Sequence, residues 1–457
     1  ASMTNSAGFW WRRAYEQNRD LIADVENGFG GNTVSDFAYG NDADGRRERR
    51  VDSGAVTNLF GLNARSEVVS AVLGGSAYAY AYDAIGNRVW SAFNAVTNTY
   101  AANSLNQYTA ITGAAPSYPT YDADGNLKRS GDWHHAWDAE NRLVRSEPYG
   151  IATNGAVMLE YGYNHRSLCV TKITKQLSGR GAGYPLDPSQ PGTWDAIETR
   201  RYIWGNYNIA AEIVVDETES ATNVTYYTWG LDLSGTLQGA GGVGGLLAET
   251  KMTATFTNTC FAVGDANGNV TEYVDAVGTV RGHYEYSPFG EITAQSGDLA
   301  DRFTHRFSTK PFDVETGKTR YQLRPYDPPF GRWLSRDPIE EVGGLNYYAF
   351  ALNNPINAYD PFGLRAAGSK PDGECDKCGP EIAAGLTATM NDVKTKFDAL
   401  PKDAKSQHCS FGHLFGTWDI IFPLPPSGCG KGGCNETVMV HGMCYDKWKV
   451  NYILFGR

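Results

Sequence analysis

A nine-residue phrase recurs along this chain, and it limits what the chain can fold into more than any other feature. It reads YDAIGNRVW from Tyr82, YDADGNLKR from Tyr121, WDAENRLVR from Trp137 and GDANGNVTE from Gly264, with a degenerate NSLNQYTAI from Asn103. Asp83, Asp122 and Asp138 are 39 and 16 residues apart, and Asn106 falls between the first two. The period is therefore about 16 to 23 residues, the length of one short hairpin. Each residue type in the phrase has a physical task. Asp hydrogen-bonds the backbone two residues on, Gly or Asn accepts a positive φ, and the flanking aromatic and apolar residues favour a pleated surface. Each unit reads as strand, tight turn, strand. A lone hairpin cannot bury its apolar face, so the units must stack on one another.

Composition agrees with an all-β fold: 52 of the 457 residues are glycine, and 27 tyrosines stand beside 6 methionines. Period-2 alternation in RVWSAF from Arg88 and in YIWGNYNIAAEIVV from Tyr202 marks strands with one buried face. The net charge is −11, with no basic run. That balance argues against a shell that binds nucleic acid by neutralising phosphates. The nearest approach to a membrane-spanning stretch is the glycine-rich 239–247, far short of the ~18 to 20 apolar residues required, so no transmembrane segment is expected. The first residues, ASMTN, lack a basic segment followed by an apolar one, and the GFWWRRAY that follows reads as the inside of a domain. A fragment of a longer chain is expected.

Several local features take structural readings. The glycines of GAGGVGGLLAE from Gly239 are not followed by Lys-Ser/Thr, so they read as close packing of a turn, not as a phosphate loop. His134 and His135 point to opposite faces if they lie in a strand, and no metal is assigned. Trp10 and Trp11 suit either packing or a sugar platform.

The phrases resemble the YD repeats of the Rhs/YD-repeat superfamily. The stretch RYQLRPYDPPFGRWLSRDPIEEVGGLNYYAFALNNPINAYDPFGL, residues 320–364, resembles that superfamily's repeat-associated core motif. The resemblance covers roughly residues 8–364 and implies a hairpin ribbon wound into a hollow cocoon around a C-terminal cargo. It sets expected boundaries: a shell over 1–300, a core and junction over 301–364, and a variable region over 365–457. It also implies self-cleavage after the Leu of the DPxGL phrase by two aspartates. Carried onto this sequence, these are Asp337 and Asp360, with Arg336 as a basic neighbour and the cut between Leu364 and Arg365. The chemistry needs two carboxyls because one, ionised, takes a proton from water while the other, protonated, polarises the scissile carbonyl. Without the resemblance, both aspartates read as Asp-Pro turn formers beside Pro338 and Pro361. One departure from the pattern is the acidic pair Glu340 and Glu341, expected to add negative charge near Asp337. No cofactor is implied. The implied partners are the chain's own C-terminal domain as cargo, a secretion or delivery apparatus and an immunity protein, and the implied location is secreted or cell-surface.

Composition switches at the same junction. Cys169 and Cys260 stand alone before it, whereas Cys375, Cys378, Cys409, Cys429, Cys434 and Cys444 crowd the last 93 residues, as a disulfide framework or a zinc site. Apolar Ile382, Leu386, Met390, Val393, Phe397 and Leu400 predict one amphipathic helix from Pro380 to Leu400, followed later by a β-like ETVMV. His408, His413, His441 and Asp419 show no known catalytic spacing, so no activity is assigned there. The competing reading is a non-cleaving extracellular adhesion or surface-display protein built from the same repeats.

Overall fold

The computed structural model describes residues 2–114, 116–180 and 191–367, together with the backbone of two short strands, Thr437–Val440 and Met443–Asp446. The chain divides into two units, Ala1–Ser369 and Lys370–Arg457. In the second unit the two short strands pair antiparallel, one of them inside the β-like ETVMV run. The expected helix at 380–400, the six C-terminal cysteine side chains and the three C-terminal histidines lie outside the described residues.

The first unit is all-β and follows the hairpin logic of the repeats. Eleven strands, from Ser2–Thr4 to Tyr108–Thr112, form one sheet in strict chain order, and fourteen more, from Thr120–Tyr121 to Ile292–Ser296, form a second sheet in the same manner. Every neighbouring pair is antiparallel, as short turns require. The RVWSAF run is the strand Arg88–Phe93, and the run from Tyr202 is a hairpin, the end of Thr193–Gly205 turning into Asn208–Asp216. The sheets meet over Phe9, Phe261, Val263 and Val274, where the Phe9 and Phe261 rings stack at 5.2 Å. A cavity of about 710 Å³ lies between their inner faces, lined by Phe37, Tyr39, Arg50, Asn58, Glu272 and His283 among others.

The repeat turns are built as their residue types dictate. Asp83 Oδ1 accepts from the N–H groups of Ile85 (3.0 Å) and Asn87 (2.8 Å), and Gly86 supplies φ +87°. Asp122, Asp138 and Asp265 accept from the same i+2 and i+4 positions. So do Asn63, Asn103, Asn164 and Asp275, whose turns the phrase alone marked weakly or not at all. One Asx acceptor thus satisfies two backbone donors that a tight turn would leave unpaired.

Residues 303–362 cross these turns as a segment with its own core. Four short strands, Phe312–Asp313, Lys318–Arg320, Pro325–Asp327 and Arg332–Trp333, surround an aromatic cluster in which Tyr326 and Phe350 lie 4.1 Å apart and Tyr321 and Trp333 4.9 Å apart. The segment reads the turn row by hydrogen bonds: Asn346 Nδ2 to Asn87 Oδ1 (2.9 Å), Asn353 Nδ2 to Gly86 O (2.8 Å), Tyr348 OH to Gly125 O (2.8 Å) and Asn267 Nδ2 to Pro355 O (2.7 Å). A buried ion network, Lys172 and Arg320 on Asp313 at 2.9 and 3.0 Å, ties it to the second sheet.

His135 is buried and His134 half-exposed on opposite faces of the strand Trp133–Trp137. Trp11 packs beside Phe9, and Trp10 donates its indole N–H to Gly30 O. Among the described residues, no helix is long and apolar enough to cross a membrane.

Candidate functional site

The DPFGL phrase folds as one more repeat turn. Asp360 Oδ1 accepts from the N–H groups of Phe362 (3.2 Å), Gly363 (2.8 Å) and Leu364 (2.9 Å), and Gly363 has φ +84°, close to the +87° of Gly86. The loop is closed by an antiparallel bridge in which Tyr359 N–H donates to Ala367 O (2.9 Å) and Ala367 N–H to Tyr359 O (2.6 Å). Leu364 and Arg365 therefore sit in a loop pinned at both ends.

Two buried cations grip this loop. Arg324, 3% exposed, lies over the Trp333 ring and donates through Nε to Gly363 O, through Nη1 to Tyr347 O (3.1 Å) and through Nη2 to Asp337 Oδ2 (2.8 Å). The same Nη2 lies 3.8 Å from Asp360 Oδ2. Lys310, 2% exposed, donates to Pro361 O (2.8 Å), Gly241 O (2.7 Å) and Gln322 Oε1 (2.9 Å). Burial brings the Lys310 ammonium down to about 7 against the opposing pull of Asp360 and Asp232. The glycine-rich loop completes the grip. A Cβ on Gly241 would stand 2.6 Å from the Pro361 carbonyl carbon, so only glycine allows this approach. The packing reading of those glycines thus has a specific object, the underside of the DPFGL turn.

Asp337 reaches the loop from the SRDP turn, where its Oδ1 accepts from the Ile339 N–H at 2.9 Å. Burial pushes its carboxyl up to about 6; Arg324 and the Ile339 N–H oppose this, and the Asp360 charge adds to it. Asp337, Asp360, Leu364, Arg324 and Gly343 line one cavity of about 230 Å³. A point one bond from the Gly343 Cα lies 2.8 Å from both Asp337 Cγ and Leu364 O, so these two atoms are no more than twice that distance apart.

The structure thus brings Asp337, Asp360 and Leu364 together. Arg336 stands elsewhere: it is exposed, lies over the Tyr347 ring and does not line the cavity. The arginine between the carboxyls is Arg324. Glu340 and Glu341, expected to perturb Asp337, are also exposed, and Glu341 is engaged with Tyr347. The like charge acting on Asp337 is that of Asp360. Sequence reasoning did not pick out Arg324, Lys310 or Gly343. Arg324 lay in plain view within RPYDP, but no spacing distinguishes a site arginine from a strand arginine.

The fold defined by these sheets is that of the β-shell proteins of Tc toxin complexes. A solved structure of the Photorhabdus luminescens Tc holotoxin pore superposes with a TM-score of 0.63 over 80% of this chain and 18% of that one, at 17% identity. In sequence, the chain is 27% identical over 299 residues to the tRNA3(Ser)-specific nuclease WapA of Bacillus spizizenii, a match covering 63% of this chain and 11% of that protein. It is 39% identical over 94 residues to the toxin subunit YenC1 of Yersinia entomophaga, covering 20% of this chain and 10% of that protein. The chain therefore spans about a tenth of the length of these curated relatives. No protein-family model matches it. These likenesses support the Rhs/YD-repeat resemblance.

Proposed function

We propose that this chain is the C-terminal part of an Rhs-type shell that holds a toxin-like C-terminal domain and frees it by cutting its own Leu364–Arg365 bond. In this reading residues 1–300 are the repeat shell, 301–364 the repeat-associated core with the junction, and 365–457 the variable cargo region. The observation that carries it is the meeting of two buried carboxyls on one guanidinium beside Leu364. The names of the relatives, a nuclease and a toxin subunit, support a shell that serves toxin delivery. Export, a delivery apparatus and an immunity protein belong to the same proposal.

The step is a hydrolysis. Asp337, whose proton is retained up to about pH 6, donates it to the Leu364 carbonyl oxygen, while Asp360 takes a proton from a water as that water's oxygen bonds to the carbonyl carbon. The C–N bond to Arg365 then breaks as Asp360 passes the water's proton to the departing nitrogen and the carbonyl-derived hydroxyl returns its proton to Asp337, and the products are a Leu364 carboxylate and an Arg365 amine. Arg324 offsets the charge of the pair and fixes Gly363 next to the scissile bond. The reaction is single-turnover, because the substrate is the chain itself.

The test is intact mass of the purified chain and of its Asp337→Asn and Asp360→Asn variants, each of which keeps the side-chain volume but cannot exchange the proton. The wild type should yield fragments ending at Leu364 and beginning at Arg365, and each variant should slow this by about 10²- to 10⁴-fold, the usual worth of a general acid or base. A wild type that stays whole would favour the surface-display alternative. Continued cutting at Arg365 in both variants would reduce the aspartates to turn formers.

A further inference from the structure

Gly343 lies beside both the Asp337 carboxyl and the Leu364 carbonyl. It closes the 3-10 turn Glu340–Val342 with φ −78° and ψ −19°, a conformation any L-residue adopts, so its backbone does not require glycine. The space around it does. A Cβ there would sit 2.8 Å from Asp337 Cγ, 2.8 Å from Leu364 O and closer still to Asp337 Oδ2. Real Cβ atoms do not approach heavy atoms this closely, and these nearest neighbours are the two groups that the proposed reaction must bring together. Other glycines of the turns and of the glycine-rich loop face a different demand. Gly86 and Gly363 supply positive φ, and Gly241 combines positive φ with a backbone approach.

We infer that Gly343 is a positioning residue for self-cleavage, its missing side chain being the gap through which the Asp337 carboxyl reaches the Leu364 carbonyl oxygen. This rests on the reading of Asp337 and Asp360 as a cleaving pair. A methyl group at this position would push the carboxyl away from the carbonyl and toward the open side of the 230 Å³ cavity, with the turn itself left in place. Displacement of a reacting group by about 1 Å costs on the order of 10²-fold in rate.

The experiment follows cleavage of the freshly translated full chain over time, as a function of pH, in wild type, Gly343→Ala and the control Gly162→Ala. Gly162 lies in the strand Val157–Tyr163, where the nearest atom to an added Cβ, on Thr171, is 3.6 Å away. The expected result is wild-type cleavage in G162A and a loss of about 10²-fold in G343A, with a single cooperative thermal transition kept in both. The residual G343A cleavage should also fall off at a lower pH than in the wild type, because a carboxyl moved toward water gives up its proton earlier. A purely structural role would not move that limb. Wild-type rate and pH limb in G343A would overturn the inference, as would an unfolded G343A, since its backbone angles are those any residue adopts. Failure of the wild type to cleave would instead overturn the cleaving pair itself, and the role of Gly343 with it.

Discussion

Arg324 holds two carboxylates on a single guanidinium that is almost wholly removed from water. Burial pulls that guanidinium below its usual value while both aspartates oppose the shift. Removing it leaves Asp337 without the cation it is bonded to and facing the charge of Asp360. Arg324→Ala should therefore cost about 3 to 5 kcal/mol, the range for breaking one side of a buried ion pair, read as a lower urea midpoint of the shell. A second residue gives a pH prediction. Glu249, 7% exposed, has a buried Oε2 without a hydrogen-bond partner, and burial, with help from Glu212, raises its carboxyl from 4.5 to about 8. Between those values the folded chain keeps a proton that the unfolded chain has lost, so this residue's contribution to stability falls as pH rises through the window. The thermal midpoint of the wild type should drop more between pH 5 and pH 8 than that of Glu249→Gln. An equal drop in both would remove Glu249 as the cause.

At the scale of the element, the Asx acceptor is the repeating device, and it tolerates either Asp or Asn. Asp83→Asn keeps both backbone contacts, as Asn63, Asn103 and Asn164 make them, and loses only the bond from Asn87 Nδ2, so it should cost less than removal of the acceptor. Asp83→Ala strips the acceptor from the N–H groups of Ile85 and Asn87 and should cost about 1 kcal/mol in the same urea assay. That tolerance also explains how much of the fold was legible. Turns written with Asp and Gly, at Asp83, Asp122 and Asp265, announce themselves in the sequence. Turns written as Asn63 to Ser66 or Asn164 to Ser167 place a non-glycine residue at φ +62° or +57° and carry no such signature. The junction was legible through its motifs as far as Asp337, Asp360 and Leu364. Arg324 was not, because its role comes from a fold that brings residues 324, 337 and 360 to one point, and nothing local encodes that convergence.

For the first unit as a whole, the bridge between Tyr359 and Ala367 has consequences beyond closing a loop. Its two hydrogen bonds flank the Leu364–Arg365 bond from outside, so cutting that bond does not by itself undo them. The two fragments should co-elute in native size-exclusion chromatography and separate under denaturing conditions; spontaneous separation in native buffer would show that the bridge does not hold them. The Asp360 turn also bears on ancestry. Its acceptor, its i+2 and i+4 donors and its left-handed glycine are those of the ordinary hairpin turns. Under the proposed self-cleavage, a chain of such repeats would have held one of the two carboxyls before any selection for cutting. Duplication of the unit would have supplied Asp360 together with its geometry, leaving a second carboxyl and an arginine to be recruited from the segment that crosses the turns.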